Sequence, residues 1–333
     1  MSIKLLWRTD VHLSDKTPTN RKDQWSDTVI KKLEKIGELA KEHNVNAVLD
    51  GGDFFDIKSP TRNSHSLVRR VIETHNQYPC PTYANVGNHD CVYGDYSYLH
   101  QQPLGVLFAS GCFQRLYDEH EMVFETEIAD PLGFPTKLKV RVVGVPYHGT
   151  EYDNDRLVSI KKGDEDYLIC IAHLLASKKG GTMFEGEDIV KYADLEHLDP
   201  DVWCFGHWHC DQGIEKVGNK TIINVGSLTR GSLSQDNLDR IPCAVMITID
   251  ENGITTERLD MEIASADDVF HIDRRIKQEL KANTMEDFIT SVKTQLATET
   301  HKESVLDTVR TMSGISEKVR EKAIHYLENI GDK

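Results

Sequence analysis

Short apolar runs alternate with helix-spaced apolar positions through the first two-thirds of the chain. Residues 3–7 read as a strand, residues 25–42 as an amphipathic helix, and apolar positions near residues 67–72 mark a second helix. Further strands are predicted at 45–49, 82–86, 122–127, 137–145, 167–172, 202–205, 221–225, 244–249 and 255–261. We therefore expect an α/β (α+β) fold of four layers, in which two mixed β-sheets pack face to face between flanking helices.

The pattern changes near residue 265, where the last predicted strand ends. Residues 266–333 carry only helical periodicity, with one apolar stripe through Met285, Phe288 and Val292 and two more further on. This predicts a catalytic domain over residues 1–265 and a helical extension over residues 266–333. Short helices need a surface to pack on, so the extension either docks on the catalytic domain or binds a partner.

Composition and charge narrow the classes of function. Of 333 residues, 39% are hydrophobic and 28% charged, as in a globular protein. The net charge of −15 argues against a broad basic face that binds duplex DNA unaided. No apolar run is long enough to cross a bilayer, so no membrane contact is predicted. The seven scattered cysteines include no C-x-x-C pair, which favours the reducing cytoplasm.

Five short polar segments each follow a predicted strand. They are Asp10-Val11-His12, Gly52-Asp53, Gly87-Asn88-His89-Asp90, Ala172-His173 and Gly206-His207-Trp208-His209. Ligands of α/β sheets bind at the carboxyl ends of strands, so these side chains are expected to converge. Any one of them alone is more often a hydrogen-bonded structural residue, but the set suits two divalent ions that share a carboxylate. Asp53 is the best bridge, because the glycines before it let the backbone approach the ions.

The five segments, in this order, resemble the calcineurin-like metallophosphoesterase superfamily, whose pattern is D-x-H, G-D, G-N-H-[DE], H and G-H-x-H. The resemblance implies a first metal ion held by Asp10, His12, Asp53 and His209. It implies a second ion held by Asp53, Asn88, His173 and His207. Mn²⁺ is the implied ion, with Fe²⁺ or Zn²⁺ as alternatives, because imidazole ligands do not suit Mg²⁺.

The same resemblance implies a mechanism. A water or hydroxide between the two ions attacks the phosphorus, and the ions offset the charge that develops. His89 is the implied catalytic histidine, and Asp90 is expected to orient it by accepting its far N–H.

Two further segments are similar to the SbcD-type DNA repair exonuclease subunit. Residues 52–56, followed by Ser59-Pro60, match a G-D-x-F-D…P stretch, and residues 224–232 are similar to P-G-S-x-x-R-x-S, with Val225 where proline is usual. This implies a DNA exo- or endonuclease subunit of an SbcCD-like complex. Arg230 is then a candidate contact to a DNA phosphate, against the alternative of a surface ion pair.

The implied partners are DNA and an SMC-like coiled-coil ATPase of the SbcC type, bound through the C-terminal helices; a homodimer is left open. Such an ATPase would supply the duplex-binding surface that the acidic chain lacks. Two other functions stay open. One is a cyclic-nucleotide or small-molecule phosphodiesterase or phosphatase of the same superfamily, and the other is a binding module without catalysis. The complete set of polar residues weighs against the binding module.

Overall fold

The computed structural model describes residues 2–59, 62–92, 95–118, 120–129, 134–152, 154–183 and 186–272, and beyond these only residues 310, 321 and 324. The chain divides into two compact units, Met1–His271 and Ile272–Lys333. Val269 and Phe270, which the sequence pattern assigned to the extension, are buried in the first unit. The helical stripes predicted over residues 285–330 lie outside the described residues, so a helical extension stays a prediction.

The first unit contains fifteen strands and six α-helices among its described residues. The strands are β1 (Ile3–Arg8), β2 (Ala47–Asp50), β3 (Thr82–Ala84), β4 (Phe113–Arg115), β5 (Met122–Ala129), β6 (Pro135–Val145), β7 (Tyr167–His173), β8 (Ala176–Ser177), β9 (Gly181–Met183), β10 (Glu187–Lys191), β11 (Val202–Gly206), β12 (Gly213–Val217), β13 (Lys220–Asn224), β14 (Cys243–Asp250) and β15 (Gly253–Asp260). The α-helices are α1 (Trp25–Glu42), α2 (His65–His75), α3 (Pro103–Ala109), α4 (Asn154–Val158), α5 (Gln235–Asp239) and α6 (Ala266–Val269). Two 3-10 helices cover Tyr96–Gln101 and Tyr192–Leu195.

The strands form two six-stranded mixed sheets and one small sheet. The first sheet has the order β15-β14-β1-β2-β3-β4, in which β1 to β4 are parallel and β14 and β15 are antiparallel additions. The second has the order β12-β13-β11-β7-β6-β5, with parallel central strands and antiparallel edges. The small sheet has the order β8-β10-β9.

Side-chain alternation along the strands builds the layers. In β1, Leu5 and Trp7 point toward the second sheet and pack in an apolar core shared with Ile171 of β7, whereas Leu6 points outward into the core beneath α1. On the outer face of the second sheet, Trp203 of β11 packs in a third core with residues of α4 and of the small sheet. The predicted four-layer α/β fold is therefore confirmed. Over the described part of the chain, no helix has both the length and the apolar character that a membrane crossing requires.

Candidate metal centre

The five polar segments lie at or just after the carboxyl ends of β1, β2, β3, β7 and β11, so three of them come from the first sheet and two from the second. The chain leaves several of these strands through an unusual backbone conformation. Asp10, His12, Asp53 and His207 have positive φ angles of 52°, 49°, 52° and 90°. Residues other than glycine rarely adopt the left-handed region, and such strain concentrates at functional sites. It turns these side chains out of the strand direction.

Two glycines let the backbone of one segment approach the carboxylate of another. A Cβ on Gly87 would lie 2.1 Å from Asp53 Oδ1. A Cβ on Gly206 would lie 2.4 Å from Thr9 Oγ1 and 3.1 Å from Asp10 Oδ2. Because no side chain fits at these distances, Gly87 lets two segments of the first sheet approach each other, and Gly206 lets the second sheet approach the first.

The first group of potential ligands consists of Asp10, His12, Asp53 and His209, whose ligand atoms all lie within 4.8 Å of one another. His12 Nε2 is 2.9 Å from His209 Nε2 and 3.7 Å from Asp53 Oδ2. His209 Nε2 is 3.5 Å from Asp10 Oδ1. Two imidazole nitrogens and two carboxylates that converge on one point form a set of donors that fits a transition-metal ion.

The second group shares Asp53 with the first and adds His173 and His207. His173 Nε2 lies 3.3 Å from Asp53 Oδ2 and 3.3 Å from the side-chain oxygen of Asn88. The structure therefore brings together all seven residues that the resemblance implied as ligands, with Asp53 between the two groups. This donor set fits two divalent ions that share one carboxylate.

In both groups the buried carboxylates and the histidines shift each other's pKa values. Burial opposes the charge of His12, but Asp10, Asp56 and Asp53 outweigh it and raise the pKa of His12 to about 10. In the same way burial opposes the charge of His173, but Asp53 raises its pKa to about 9. Burial also disfavours the charged forms of Asp10 and Asp53, yet the surrounding histidines hold the pKa of both carboxyls below the usual range. Buried carboxylates of this kind need cations beside them.

Contacts to the far nitrogens orient two of the imidazoles. His173 Nδ1 lies 2.9 Å from the carbonyl oxygen of Gly51, and His12 Nδ1 lies 3.4 Å from Asp56 Oδ1. Each partner accepts a hydrogen, so in the neutral ring that can bind a metal ion Nδ1 carries the proton and Nε2 has the lone pair. Asp56 therefore has a positioning role that the sequence reasoning did not assign to it.

His89 lies beside the first group rather than within it. Its ring centroid is 4.8 Å from that of His12, and its backbone N–H donates to Asp53 Oδ1 at 2.7 Å. Its ring Nδ1 lies 2.7 Å from the carbonyl oxygen of Asp56. The backbone of Asp56, with Nδ1–H donated to it, thus orients the ring of His89 and leaves Nε2 for other partners.

The expected role of Asp90 is wrong. Its carboxylate accepts backbone N–H groups from Gly87 at 3.0 Å, from Phe54 at 3.1 Å and from Phe55 at 3.3 Å. The turn that follows Asp53 therefore occupies the carboxylate oxygens that were expected to orient His89. Burial, with the nearby charge of Asp53, raises the pKa of Asp90 to about 7. Through these hydrogen bonds Asp90 links the turn after β2 to the turn after β3.

The expected role of Arg230 is also wrong. Its side chain is buried, and its guanidinium donates to the carbonyl oxygens of Asn237 at 3.3 Å and Ala264 at 2.7 Å. Nearby, Arg240 donates to the carbonyl oxygen of Thr229 at 2.7 Å. Arg230 is thus neither a phosphate contact nor part of a surface ion pair, because the chain after the Gly-Ser turn folds inward and the arginines bind its backbone.

A buried pair behind the site was missed by sequence reasoning. Arg8 Nε donates to Asp50 Oδ2 at 2.8 Å, and Asp50 Oδ1 accepts the backbone N–H of Gly52 at 3.2 Å. The pair fixes the turn that carries Asp53. A second missed residue is Glu187, which lies 2.8 Å from His207 Nε2 and belongs to none of the five segments.

We compared the chain with known protein families and solved structures. The family model described as calcineurin-like phosphoesterase matches residues 3–211, more than half of the chain. No curated protein matches the sequence.

Three solved structures illustrate the similarity. TT1561 of Thermus thermophilus is 16% identical, with 78% of this chain and 99% of that chain covered and a TM-score of 0.42. The calcineurin-like phosphoesterase YfkN from Bacillus subtilis is 13% identical, with 98% and 99% covered and a TM-score of 0.42. A dimetal phosphatase from Danio rerio is 11% identical, with 78% and 99% covered and a TM-score of 0.43.

Proposed function

The chain belongs to the calcineurin-like phosphoesterase family and is a metal-dependent phosphoesterase, and we propose that its substrate is DNA. In this proposal it cuts phosphodiester bonds as the exo- or endonuclease subunit of an SbcCD-like end-processing complex. Membership of the family does not decide the substrate, because the family acts on many phosphoesters. The support for DNA comes from the residues that line the cavity beside the metal centre.

Two divalent ions would be held by the two groups that share Asp53. The first set of ligands is Asp10, His12, Asp53 and His209; the second is Asp53, Asn88, His173 and His207. When bound, such ions lower the pKa of water, orient phosphoryl oxygens and offset charge in an in-line displacement. We propose Mn²⁺ as the working ion, because a mixed set of carboxylate, amide and imidazole donors suits it better than it suits Mg²⁺.

Among the residues of the chain, His89 is the proposed proton donor. Its Nδ1–H donates to the carbonyl oxygen of Asp56, so Nε2 is the atom that can hold a proton for a departing oxygen. His89, His12 and His209 line one cavity of about 340 Å³, so a substrate there reaches both the first ligand group and His89.

The lining of this cavity is the observation that carries the DNA proposal. Asp56 of the G-D-x-F-D segment and the next residue, Ile57, contribute to the cavity. Ser227, Thr229 and Ser232 of the other segment with a nuclease resemblance contribute as well. Lys16 adds a positive charge at the same cavity. Both segments with a nuclease resemblance therefore lie where a substrate would contact them.

The size of the cavity favours a chain end over an intact duplex. About 340 Å³ is near the lower limit for ligand sites, so it suits one nucleotide-sized group. The same size is the specific observation that favours a second candidate, a cyclic-nucleotide or small-molecule phosphodiesterase or phosphatase.

One side-by-side assay separates the two candidates. Mn²⁺-loaded full-length protein is incubated with end-labelled DNA, bis-p-nitrophenyl phosphate, p-nitrophenyl phosphate and cyclic nucleotides. We expect release of nucleotides from DNA and cleavage of the diester, both abolished in Asp10→Asn and unchanged in the control Asp194→Asn, which alters an exposed residue. Cleavage of cyclic nucleotides or the monoester with intact DNA would establish the second candidate instead.

We also propose that residues 266–333 bind an SMC-like coiled-coil ATPase, which would supply duplex binding to a chain of net charge −15. Truncation after residue 275 keeps the whole compact unit Met1–His271. The truncated protein should retain cleavage of bis-p-nitrophenyl phosphate but lose ATPase association and ATP-dependent processing of long DNA. Continued co-purification with the ATPase would overturn this assignment.

A further inference from the structure

His207 differs from the other histidines of the centre in the partner of its ring. His207 Nε2 lies 2.8 Å from Glu187 Oε1, and Glu187 is only 6% exposed. A carboxylate only accepts hydrogen bonds, so Nε2 carries the hydrogen of this pair. The lone pair of the neutral ring is then on Nδ1. This is the reverse of His173, where the Gly51 carbonyl accepts from Nδ1 and leaves Nε2 free.

Glu187 is itself held in place. The hydroxyl of Tyr152 donates to Glu187 Oε1 at 2.7 Å, and the backbone N–H of Leu175 donates to the hydroxyl oxygen of Tyr152 at 2.8 Å. Leu175 follows His173 by two residues, so a continuous chain of hydrogen bonds joins the end of β7 to the ring of His207. Tyr152 is also largely buried, which limits competition from water.

The small sheet explains how Glu187 reaches the centre. Glu187 is the first residue of β10 and pairs with Met183 of β9, while β10 also pairs with β8. Alternation along β10 buries Glu187 and exposes its neighbour Asp188. The small sheet thus places the carboxylate of Glu187 beside His207 of the second ligand group.

We propose that Glu187, held by Tyr152, is a positioning residue for the second metal ion: it fixes His207 in the Nε2–H tautomer and directs Nδ1 toward the ion shared through Asp53. This inference rests on the proposed ligand role of His207. Glu187 acts through His207, because it contacts that ring and belongs to neither group of converging ligand atoms. Outer carboxylates that orient a ligating imidazole typically change metal affinity by about 10–100-fold when they are replaced.

The test measures metal binding and tautomer rather than activity alone. Mn²⁺ is titrated into metal-free full-length protein by calorimetry for wild type, Glu187→Gln, Tyr152→Phe and the control Asp188→Asn. We expect one of two ions to bind about 10–100-fold more weakly in Glu187→Gln and to be less weakened in Tyr152→Phe, with the other ion unchanged. Asp188→Asn should bind both ions as wild type does.

A second readout follows the ring directly. In protein with ¹⁵N-labelled histidine, the His207 signals of metal-free wild type should show the Nε2–H tautomer, assigned by their loss in His207→Ala. Glu187→Gln should lose this preference while circular dichroism shows an intact fold.

The possible outcomes distinguish a failure of the Glu187 role from a failure of the proposed dinuclear site. Wild-type affinity for both ions and an unchanged tautomer in a folded Glu187→Gln would overturn the positioning role alone. A wild-type protein that binds fewer than two ions would overturn the proposed dinuclear site on which the inference rests.

Discussion

The two ligand groups share Asp53 but differ in their access to solvent. In the first group the side chain of His209 is 46% exposed, and the cavity opens beside it. In the second group the side chains of His173 and His207 are 0% and 13% exposed. The first group therefore borders the cavity at His209, whereas the imidazoles of the second are enclosed and contact Gly51 and Glu187. The two groups thus differ in the solvent access of these histidines.

The largest expected effect tests whether chemistry takes place on the open side. His89 lies beside the open group and belongs to neither proposed ligand set. His89→Ala should therefore bind two ions but cleave phosphodiesters about 10²–10⁴-fold more slowly, the range for general acid help. Metal content and the rate constant with bis-p-nitrophenyl phosphate are measured on the same preparation. Full activity would remove His89 from the mechanism, and loss of metal would make it a ligand.

A smaller effect sharpens the contrast between enclosed and open histidines. His173→Ala should destabilise the metal-free protein by about 1–3 kcal/mol, because it leaves the buried Gly51 carbonyl without this partner and removes one of the contacts of Asp53. His209→Ala should change stability by less than about 0.5 kcal/mol, because the side chain of His209 is about half exposed and its removal leaves no buried group without a partner. Urea unfolding of the metal-free proteins measures both. Equal losses of stability would contradict the distinction between the groups.

The smallest effect concerns pH, and each group contributes one histidine to it. The pKa of His12 is raised to about 10 and that of His173 to about 9 in the absence of metal. Because these folded-state values lie above the ordinary value of 6.5, the stability they contribute is fully present below about pH 6.5 and is lost as the pH rises through 9 to 10.

The melting temperature of metal-free protein should therefore fall from about pH 7 to about pH 10, and less steeply in His12→Gln and His173→Gln. Metal-saturated protein should lack this component, since ions replace the protons. A slope that is the same in wild type and both variants would show that these histidines do not carry it.

Much of the fold could be predicted from the sequence because buried elements leave clear patterns. Helix α1 has the predicted bounds, since its apolar stripe packs on the first sheet. All the predicted strands are present, because the central strands are continuous apolar runs and the edge strand β5 alternates between half-buried and exposed residues. The strands β4, β8, β9, β10 and β12 were missed, since two to five residues are too few to show a period.

The site was predictable in its residues but less so in its contacts. Segments after parallel strands converge, so the order of the five segments predicted a shared centre, and the family resemblance implied the seven candidate ligands. What a side chain faces cannot be read in this way. Asp90 binds backbone N–H groups and Arg230 binds backbone carbonyls, because distant segments fold against them. Glu187 carries no sequence signal, since it reaches His207 only through the small sheet.

The central claim is that Asp53 joins two metal ions into one centre, and metal counting on Asp53→Asn tests it most directly. Wild type, Asp53→Asn and the exposed control Asp194→Asn are saturated with Mn²⁺, freed of unbound metal and analysed for ions per chain. We predict two ions in wild type and in Asp194→Asn, and weakened binding at both sites together in Asp53→Asn. Two ions retained by Asp53→Asn, or the loss of only one, would contradict the shared centre.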